Sequence, residues 1–331
     1  MNSTFGFARI NEQKIADIAK IMQSLPSGNG LNFYSFTING KETPDEKSYP
    51  SLHHPATLDF FLFACMHQYG FWYGNQTGYE GPLFGTMHGK ERKGSDLLWM
   101  ATKRALDNNP EIFNPSHLAN LTYKEFIGIM SDDKGPIPFT DLGQRYKLTK
   151  AMGAYLSSAR LGLAEIINRA NNSASPLETF LNYTKAVPGY DKDPLLKKNT
   201  LLAMAVANRP ERYLDATDSD HWQPIIDYHL MRIALRQGLV EITNDVENNR
   251  NSKRAWTTEH REYDIRVATY YAINELIEQS GKPMTFVDEQ LWMARKYCPE
   301  MTEPDCGKCV FNDGCEKRTN LFQPVYETTA Y

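Results

Sequence analysis

The residues best suited to chemistry in this chain are four cysteines near its C-terminus: Cys298, Cys306, Cys309 and Cys315. They stand as C-x7-C-x2-C-x5-C within KYCPEMTEPDCGKCVFNDGCEK, while the fifth cysteine, Cys65, lies far away in an apolar run. Cysteines so closely spaced are metal ligands or disulfides. A thiolate tetrad suits a [4Fe–4S] cluster or a structural zinc. Zinc ribbons usually pair two short C-x2-4-C knuckles. This loop has one short gap and two long ones, which departs from that plan and leaves a cluster, a zinc ion, and disulfides or free thiols as the readings.

The second constellation lies in PIIDYHLMRIALRQGLVEI. After Asp227 come His229, Arg232 and Arg236, in the pattern D-x-H-x-x-R-x-x-x-R, with Leu230, Ile233 and Ala234 as a helical apolar stripe. Asp227 then falls at the N-cap or in the first turn, where the positive end of the helix dipole favours a carboxylate. Such a position fixes the rotamer and presents the free oxygen to a cleft. A plain cap is the simpler role; the His and Arg spacing and the cysteine loop weigh toward catalysis. His229 reads as buried and hydrogen-bonded, and Arg232 and Arg236 as structural ion-pair partners. Lys197 and Lys198 are adjacent, a pattern most often found on solvated surface. Phe71, Trp72, Tyr73 and Tyr79, flanked by Gly70, Gly74 and Gly78, could stack a flat base or simply pack in the core.

The Asp227 pattern followed by a cysteine loop resembles the endonuclease III-like helix–hairpin–helix DNA glycosylases. There this aspartate is the catalytic carboxylate and the loop holds an iron–sulfur cluster; the first cysteine gap is one residue longer here. Their hairpin would fall at VPGYDKDPLLKKNTLLAMAVA, where only Pro188-Gly189 matches the usual L-P-G-V-G-x-x-T/S-A. That hairpin offers backbone N–H groups to a DNA phosphate, so the departure weighs against DNA. The resemblance also sets Lys197 and Lys198 near the Schiff-base lysine of lyase-type members, where one of them could instead hold a 5′-phosphate. A second resemblance covers about residues 31–240. LNFYSF, KGSDLLWMATKRALDNNPEIFNPSHLANLTYKEFIGI, PIPFTDLGQRYKLTKAMGAYL, GYDKDPLLKKNTLLAM and IIDYH are similar to stretches of the queuosine-salvage family. That family hydrolyses the N-glycosidic bond of queuosine 5′-phosphate on a DNA-glycosylase-like fold. The resemblance implies substrate contacts from Asp96 and Trp99, and from Tyr228 and His229 beside Asp227.

The elements that must position these groups are mostly helices. Apolar periodicity and capping signals predict helices over Asn11–Gln23, Gly94–Asp107 (capped by Ser95 or Asp96), Leu142–Ala170 in one or two pieces, Pro176–Val187 and Leu195–Asn208. Others follow Asp227 as far as Gly238 and cover Asp264–Gly281 and Val287–Lys296, with two short ones in FNPSHLANLTYKEFIGIM. Ser24–Asn32 reads as a loop, Leu31–Asn39 as a strand of a small N-terminal sheet, and the tail after Arg318 as extended. The expected fold is mainly α, a helix–hairpin–helix DNA glycosylase-like helical fold with a C-terminal four-cysteine cluster loop. Residues 1–296 form the helical domain, in one or two intimate lobes, and 297–331 the cysteine loop and tail.

Composition bounds the partners. The net charge is −4 and the pI about 6.1, whereas proteins that grip duplex DNA usually carry a basic surplus. The charge points to a small ligand, and the resemblance to the queuosine-salvage family implies a modified nucleoside or nucleotide, cleaved by an N-glycosylase that releases a 7-deazaguanine-type, queuine-like base. DNA carrying a damaged or modified base is the alternative, and a non-catalytic iron–sulfur or zinc module a second. No apolar stretch approaches the ~20 residues of a membrane span, and the N-terminus has no signal-peptide pattern. The expected compartment is the reducing cytoplasm, which also weighs against disulfides.

Overall fold

A computed structural model describes residues 3–26, 31–38 and 41–331; the expected loop over 27–30 and the end of the strand at Asn39 lie outside the described residues. The helices among these are α1 (Glu12–Ser24), α2 (Thr57–Met66), α3 (Gly94–Asn108), α4 (Pro115–Asn120), α5 (Tyr123–Ile129), α6 (Leu142–Ala159), α7 (Leu163–Asn171), α8 (Pro176–Thr184), α9 (Lys197–Asn208), α10 (Tyr228–Gln237), α11 (Asp245–Ser252), α12 (Glu259–Ser280) and α13 (Met284–Ala294). The strands are β1 (Thr4–Phe5), β2 (Ala8–Ile10), β3 (Ser35–Ile38), β4 (Lys41–Pro44), β5 (Trp72–Gly74), β6 (Tyr79–Pro82), β7 (Phe84–Met87), β8 (Lys90–Lys93) and β9 (Val240–Ile242). The fold is mainly helical, as expected.

Two apolar cores organise the chain. The first gathers α2 to α9. Its centre is α2, TLDFFLFACM, which is apolar nearly all round and is buried except at Leu58 and Asp59, which are half-buried. The second gathers α1, α10, α12 and α13 with the C-terminal tail. In α1 the spacing of Ile15, Ile18, Ala19 and Met22 turns one face inward, and the Asn11 side chain caps the helix by accepting from the Lys14 N–H at 3.1 Å. Phe311, Leu321, Phe322, Val325 and Tyr331, all beyond residue 296, are buried in this same second core.

The stretch after Leu142 is in two pieces, within what was expected, and breaks where Arg160 adopts φ 49° and Gly162 stands as the N-cap residue of α7. Other expectations shift. Helix α3 is not capped by Ser95 or Asp96: Lys93 is the N-cap residue and no side chain caps it. Gly94 follows with φ +45°, and a Cβ there would stand 2.9 Å from the Phe71 Cβ, so only glycine fits this approach. Strand is not confined to the N-terminus. β1, β2 and β9 form one antiparallel sheet, and β3–β4, β5–β6 and β7–β8 are separate hairpins. The aromatic, glycine-rich stretch is thus two consecutive hairpins, whose strands of three or four residues are too short for a period of two to be read. Helix α11, DVENNRNS, was not foreseen. It has no apolar stripe and is held by Asn244, whose side chain accepts from Val246 and Glu247. The tail after Arg318 has no regular strand, only a bridge from Val325 to Trp256.

Candidate active site

A cavity of about 250 Å³ opens where the two cores meet. The first core supplies Phe33, Tyr49, Gln68, Tyr69 and Phe71, then Lys93 to Asp96 and Trp99 from the start of α3, and Lys197, Leu201 and Met204 from one face of α9. The first also supplies Ile225; the second supplies Asp227, Tyr228 and His229 at the start of α10, a face of α13, and Tyr331. The volume is near the lower end of small-molecule sites, roughly 300–1,000 Å³, and the walls are rich in aromatic rings.

Asp227 is the N-cap of α10. Its Oδ1 accepts from the Leu230 N–H at 3.0 Å, and the side chain keeps part of its surface open to the cavity. Burial raises its pKa above the ordinary carboxylate value, while the Lys197 ammonium and the Leu230 N–H pull the other way. Lys197, on the opposite wall, donates to the Gln68 carbonyl. Burial lowers its pKa, and Asp227 resists that. Two lysines at the start of α9 are unfavourable for the helix dipole. Asp193 compensates: it accepts from the Leu195 and Lys197 N–H groups at 3.0 and 2.8 Å and is clamped bidentately by Arg266 at 2.7 and 2.8 Å.

A second carboxyl faces the same space. Asp288 on α13 accepts from the Ile225 N–H at 3.3 Å, and burial, reinforced by Asp227, pushes its pKa up to about 8. Two carboxyls with one nearby ammonium cannot both be charged cheaply in a buried wall. Both carboxyls are shifted upward; Lys197 and the Leu230 N–H offset the shift at Asp227, while Asp288, at about 8, keeps its proton at neutral pH.

Of the residues singled out in the sequence, Asp227, Asp96, Trp99, Lys197, Tyr228 and His229 come together in the cavity wall. Trp72, Tyr73 and Lys198 do not line it. Trp72 packs at a tilt against Tyr79 and Trp256 in the second core, at 5.5 and 5.6 Å between ring centroids, and Tyr73 is an exposed strand residue. Lys198, far from being solvated, is 2% exposed, donates to the Gly189 carbonyl and lies over the Tyr69 ring at 5.0 Å. Burial, with Lys197 beside it, lowers its pKa to about 7. The α13 face was missed: Thr285, Asp288, Glu289, Trp292 and Met293 recur at helical spacing along a helix the sequence did predict.

His229 is buried and neutral. Burial, then Arg232, holds its pKa well below the usual value, and Arg232 Nη2 donates to its Nδ1 at 3.0 Å. Arg232 also donates to Gln323 at 2.7 Å. Arg236 serves carbonyls, of Leu321 at 2.7 Å and Pro299 at 2.9 Å, more than acids.

At the other end of α10 a small void of about 30 Å³ is lined by Cys298, Cys306, Cys309 and Cys315 together with Ile233, Arg236, Ala294 and Tyr297. All four thiols are free. Arg236 Nη1 donates to the Cys298 sulfur at 3.2 Å, and the Lys317 N–H to the Cys315 sulfur at 3.3 Å. Among the described residues no group of three or more His, Cys, Asp or Glu is arranged to hold a metal ion.

The loop between α8 and α9 bonds to itself and to the first core, with Asp191, Lys192 and Pro194 exposed. Tyr190 is fully buried, with its hydroxyl donating to the Leu62 carbonyl at 2.6 Å. The Gly189 N–H goes to Asp191 at 3.0 Å, and the Tyr190 N–H to Val187 at 2.9 Å. Among the described residues no helix is long and apolar enough to cross a membrane.

No curated protein matches the sequence. The family model described as queuosine salvage protein matches residues 48–285, which take in Asp96, Trp99, Lys197, Asp227 and His229 and stop short of Asp288 and the four cysteines. With most of its length and most of its cavity inside that match, the chain belongs to the queuosine salvage protein family.

Proposed function

We propose that this chain hydrolyses the N-glycosidic bond of a 7-deazaguanine-type nucleoside or nucleoside 5′-phosphate and releases the free base. The observation that carries the reading is Asp227: a capping carboxylate with one oxygen held by Leu230, still open to an aromatic cavity that also holds Lys197 and Asp288. Membership of the queuosine salvage family supports the substrate class.

Breaking the C1′–N bond leaves an oxocarbenium-like sugar, and a fixed carboxylate on its face stabilises that charge and orients water. The departing base takes the bonding electron pair and needs a proton. A 7-deazapurine has no N7 to accept one, so the donor must reach another atom of the base. Asp288, protonated at neutral pH, is the group in the wall that can give it. Water adds to C1′, and the proton it loses restores the carboxyl pair. The aromatic rings stack the base, and Lys197, Lys93 and Arg295 are the cations available to a 5′-phosphate. The helix–hairpin–helix kinship belongs to the same proposal: α8 and α9 pack together around residues 185–196, and Asp227 caps the helix that follows.

The four cysteines are the proposed ligands of a [4Fe–4S] cluster. Four free thiols that line one void, two of them receiving N–H groups, support that reading. The cluster would supply structural cross-linking, because hydrolysis transfers no electrons.

The test is to incubate the purified protein with queuosine, queuosine 5′-monophosphate and DNA duplexes carrying modified bases, and to measure released base. Release from the nucleoside or the monophosphate is expected. Release from duplex alone, or from none of the three, overturns the reading.

A further inference from the structure

The His and Arg spacing that follows Asp227 has a purpose beyond the cavity. Offsets of three and four residues put His229, Arg232 and Arg236 on one face of α10, and that face reads the cysteine loop. Arg236 holds Cys298 and Pro299, through the sulfur at 3.2 Å and the carbonyl at 2.9 Å. The next loop residue, Glu300, is 1% exposed. Its Oε1 has no hydrogen-bond partner and lies 3.6 Å from Arg232 Nη1 and 3.8 Å from His229 Nδ1. Its Oε2 pairs with the Lys93 ammonium. Lys93 is the N-cap residue of α3 and, like Gly94, Ser95 and Asp96 after it, lines the cavity. Glu300 therefore joins α3 of one core to α10 of the other, immediately behind the cavity wall.

A buried carboxylate is a poor device for stability alone, since an apolar side chain of like size often serves as well. It is a good device for fixing which groups meet. We propose that Glu300 is a positioning residue through which the cysteine loop holds the cavity mouth, so that the state of the loop is felt at Lys93 and the first turn of α3. The inference needs the cavity and the loop but not the identity of the ligand, and it stands apart from the proposed reaction.

The experiment compares hydrogen exchange in the full-length parent, Glu300→Gln, Cys309→Ser and the double variant. Cys309→Ser disturbs the loop whatever metal it holds. It should speed exchange of the Leu97–Ala101 amides about tenfold as well as that of the loop itself. Glu300→Gln should speed the same α3 amides to a similar degree and leave metal content at Cys298–Cys315 unchanged. The double variant should exceed neither single variant at α3, because both cut one connection. If Glu300→Gln does not fold, Lys93→Gln removes the pair from the other partner and should reproduce the α3 effect. A loosened loop with unchanged α3 amides, or effects that simply add, overturns the proposal. Base release provides the second readout: Glu300→Gln should raise KM about tenfold with kcat within threefold, a split that general loosening does not produce. Should the protein release no base at all, the reaction falls while the exchange comparison still decides the role of Glu300.

Discussion

The two cavities at the ends of α10 are built on opposite plans. At the N-terminal end Asp227 has one oxygen satisfied and the rest of its carboxylate open, within walls that also bury an ammonium and a protonated carboxyl. At the C-terminal end the void is an order of magnitude smaller, and groups around it are tied off: Arg236 to two carbonyls and a sulfur, Cys315 to the Lys317 N–H. The helix dipole sharpens the contrast. It favours a carboxylate at the start of the helix and disfavours thiolates at the end, so the sulfurs require Arg236 as a counter-charge where Asp227 requires only its cap. The first cavity leaves a carboxylate incompletely paired beside open space; the second pairs its arginine and leaves the neutral Gln237 Oε1 without a partner.

The strongest way to break this comparison is to change one atom of Asp227. Asn caps helices about as well as Asp, so Asp227→Asn keeps the Leu230 bond and removes the charge. Base release should fall by roughly a thousandfold or more, several kcal/mol of transition-state stabilisation, with an unchanged circular dichroism spectrum and melting temperature. Turnover within roughly tenfold of the parent, about 1.4 kcal/mol, would reduce Asp227 to a cap.

The other end should respond in the opposite currency. Anaerobically purified protein is expected to be brown and to contain about four iron and four sulfide per chain. Cys309→Ser should lose that content and lower stability by on the order of a few kcal/mol, while the folded fraction keeps its kcat. Stoichiometric zinc without iron in the parent sinks the cluster. A kcat loss as large as that of Asp227→Asn would sink the division of labour.

What could be read from the sequence follows the same division. Groups tied to a local pattern were legible: the cysteine spacing, and the Asp227 cap with its His and Arg one turn apart. Groups whose role depends on which elements meet were not. Lys197 and Lys198 look alike in the chain, yet α9 aims the first into the cavity and the second at Gly189 and Tyr69. Trp72 looked like a stacking platform because hairpins of three or four residues leave no readable period, and pairing turns it toward Trp256 instead. Asp288 was hidden in a helix whose periodicity was seen but whose inward face could not be assigned without its neighbours. Buried arginines such as Arg145, Arg209 and Arg266, which bond backbone carbonyls and distant carboxylates, likewise give no local signal.

Asp288 sharpens the comparison through pH. Its raised pKa, about 8, means the folded chain holds a proton there that the unfolded chain releases near the ordinary aspartate value. Across that window the native state binds the extra proton, so stability falls as pH rises, by up to about 1.4 kcal/mol per unit for one proton. Activity that needs the proton should be full below about 8 and decline above it. Asp288→Asn should lower kcat by roughly ten- to a hundredfold, remove the alkaline limb of the activity profile and flatten the fall in stability below about 8. An unchanged alkaline limb in the variant would assign the proton to another group.

The smallest expected effect is that of salt, and it separates a single nucleotide from a nucleic acid. A protein that neutralises several phosphates loses affinity steeply with salt, with a logarithmic slope near −0.9 for each contact on duplex DNA. The cavity offers Lys93, Lys197 and Arg295, of which Lys93 is already paired with Glu300 and Lys197 already faces Asp227. The loop over residues 187–196, where a repair enzyme would offer free N–H groups to a backbone phosphate, spends those of Gly189, Tyr190, Leu195 and Leu196 on its own oxygens. The KM for queuosine 5′-monophosphate should therefore move by no more than about one logarithmic unit per decade of salt, and duplex DNA should bind weakly at every concentration. Tight duplex binding with a slope of several units, together with base release from DNA and none from the mononucleotide, would show that the cavity serves an extruded base rather than a free nucleotide. That loop would then have to open before DNA could be held.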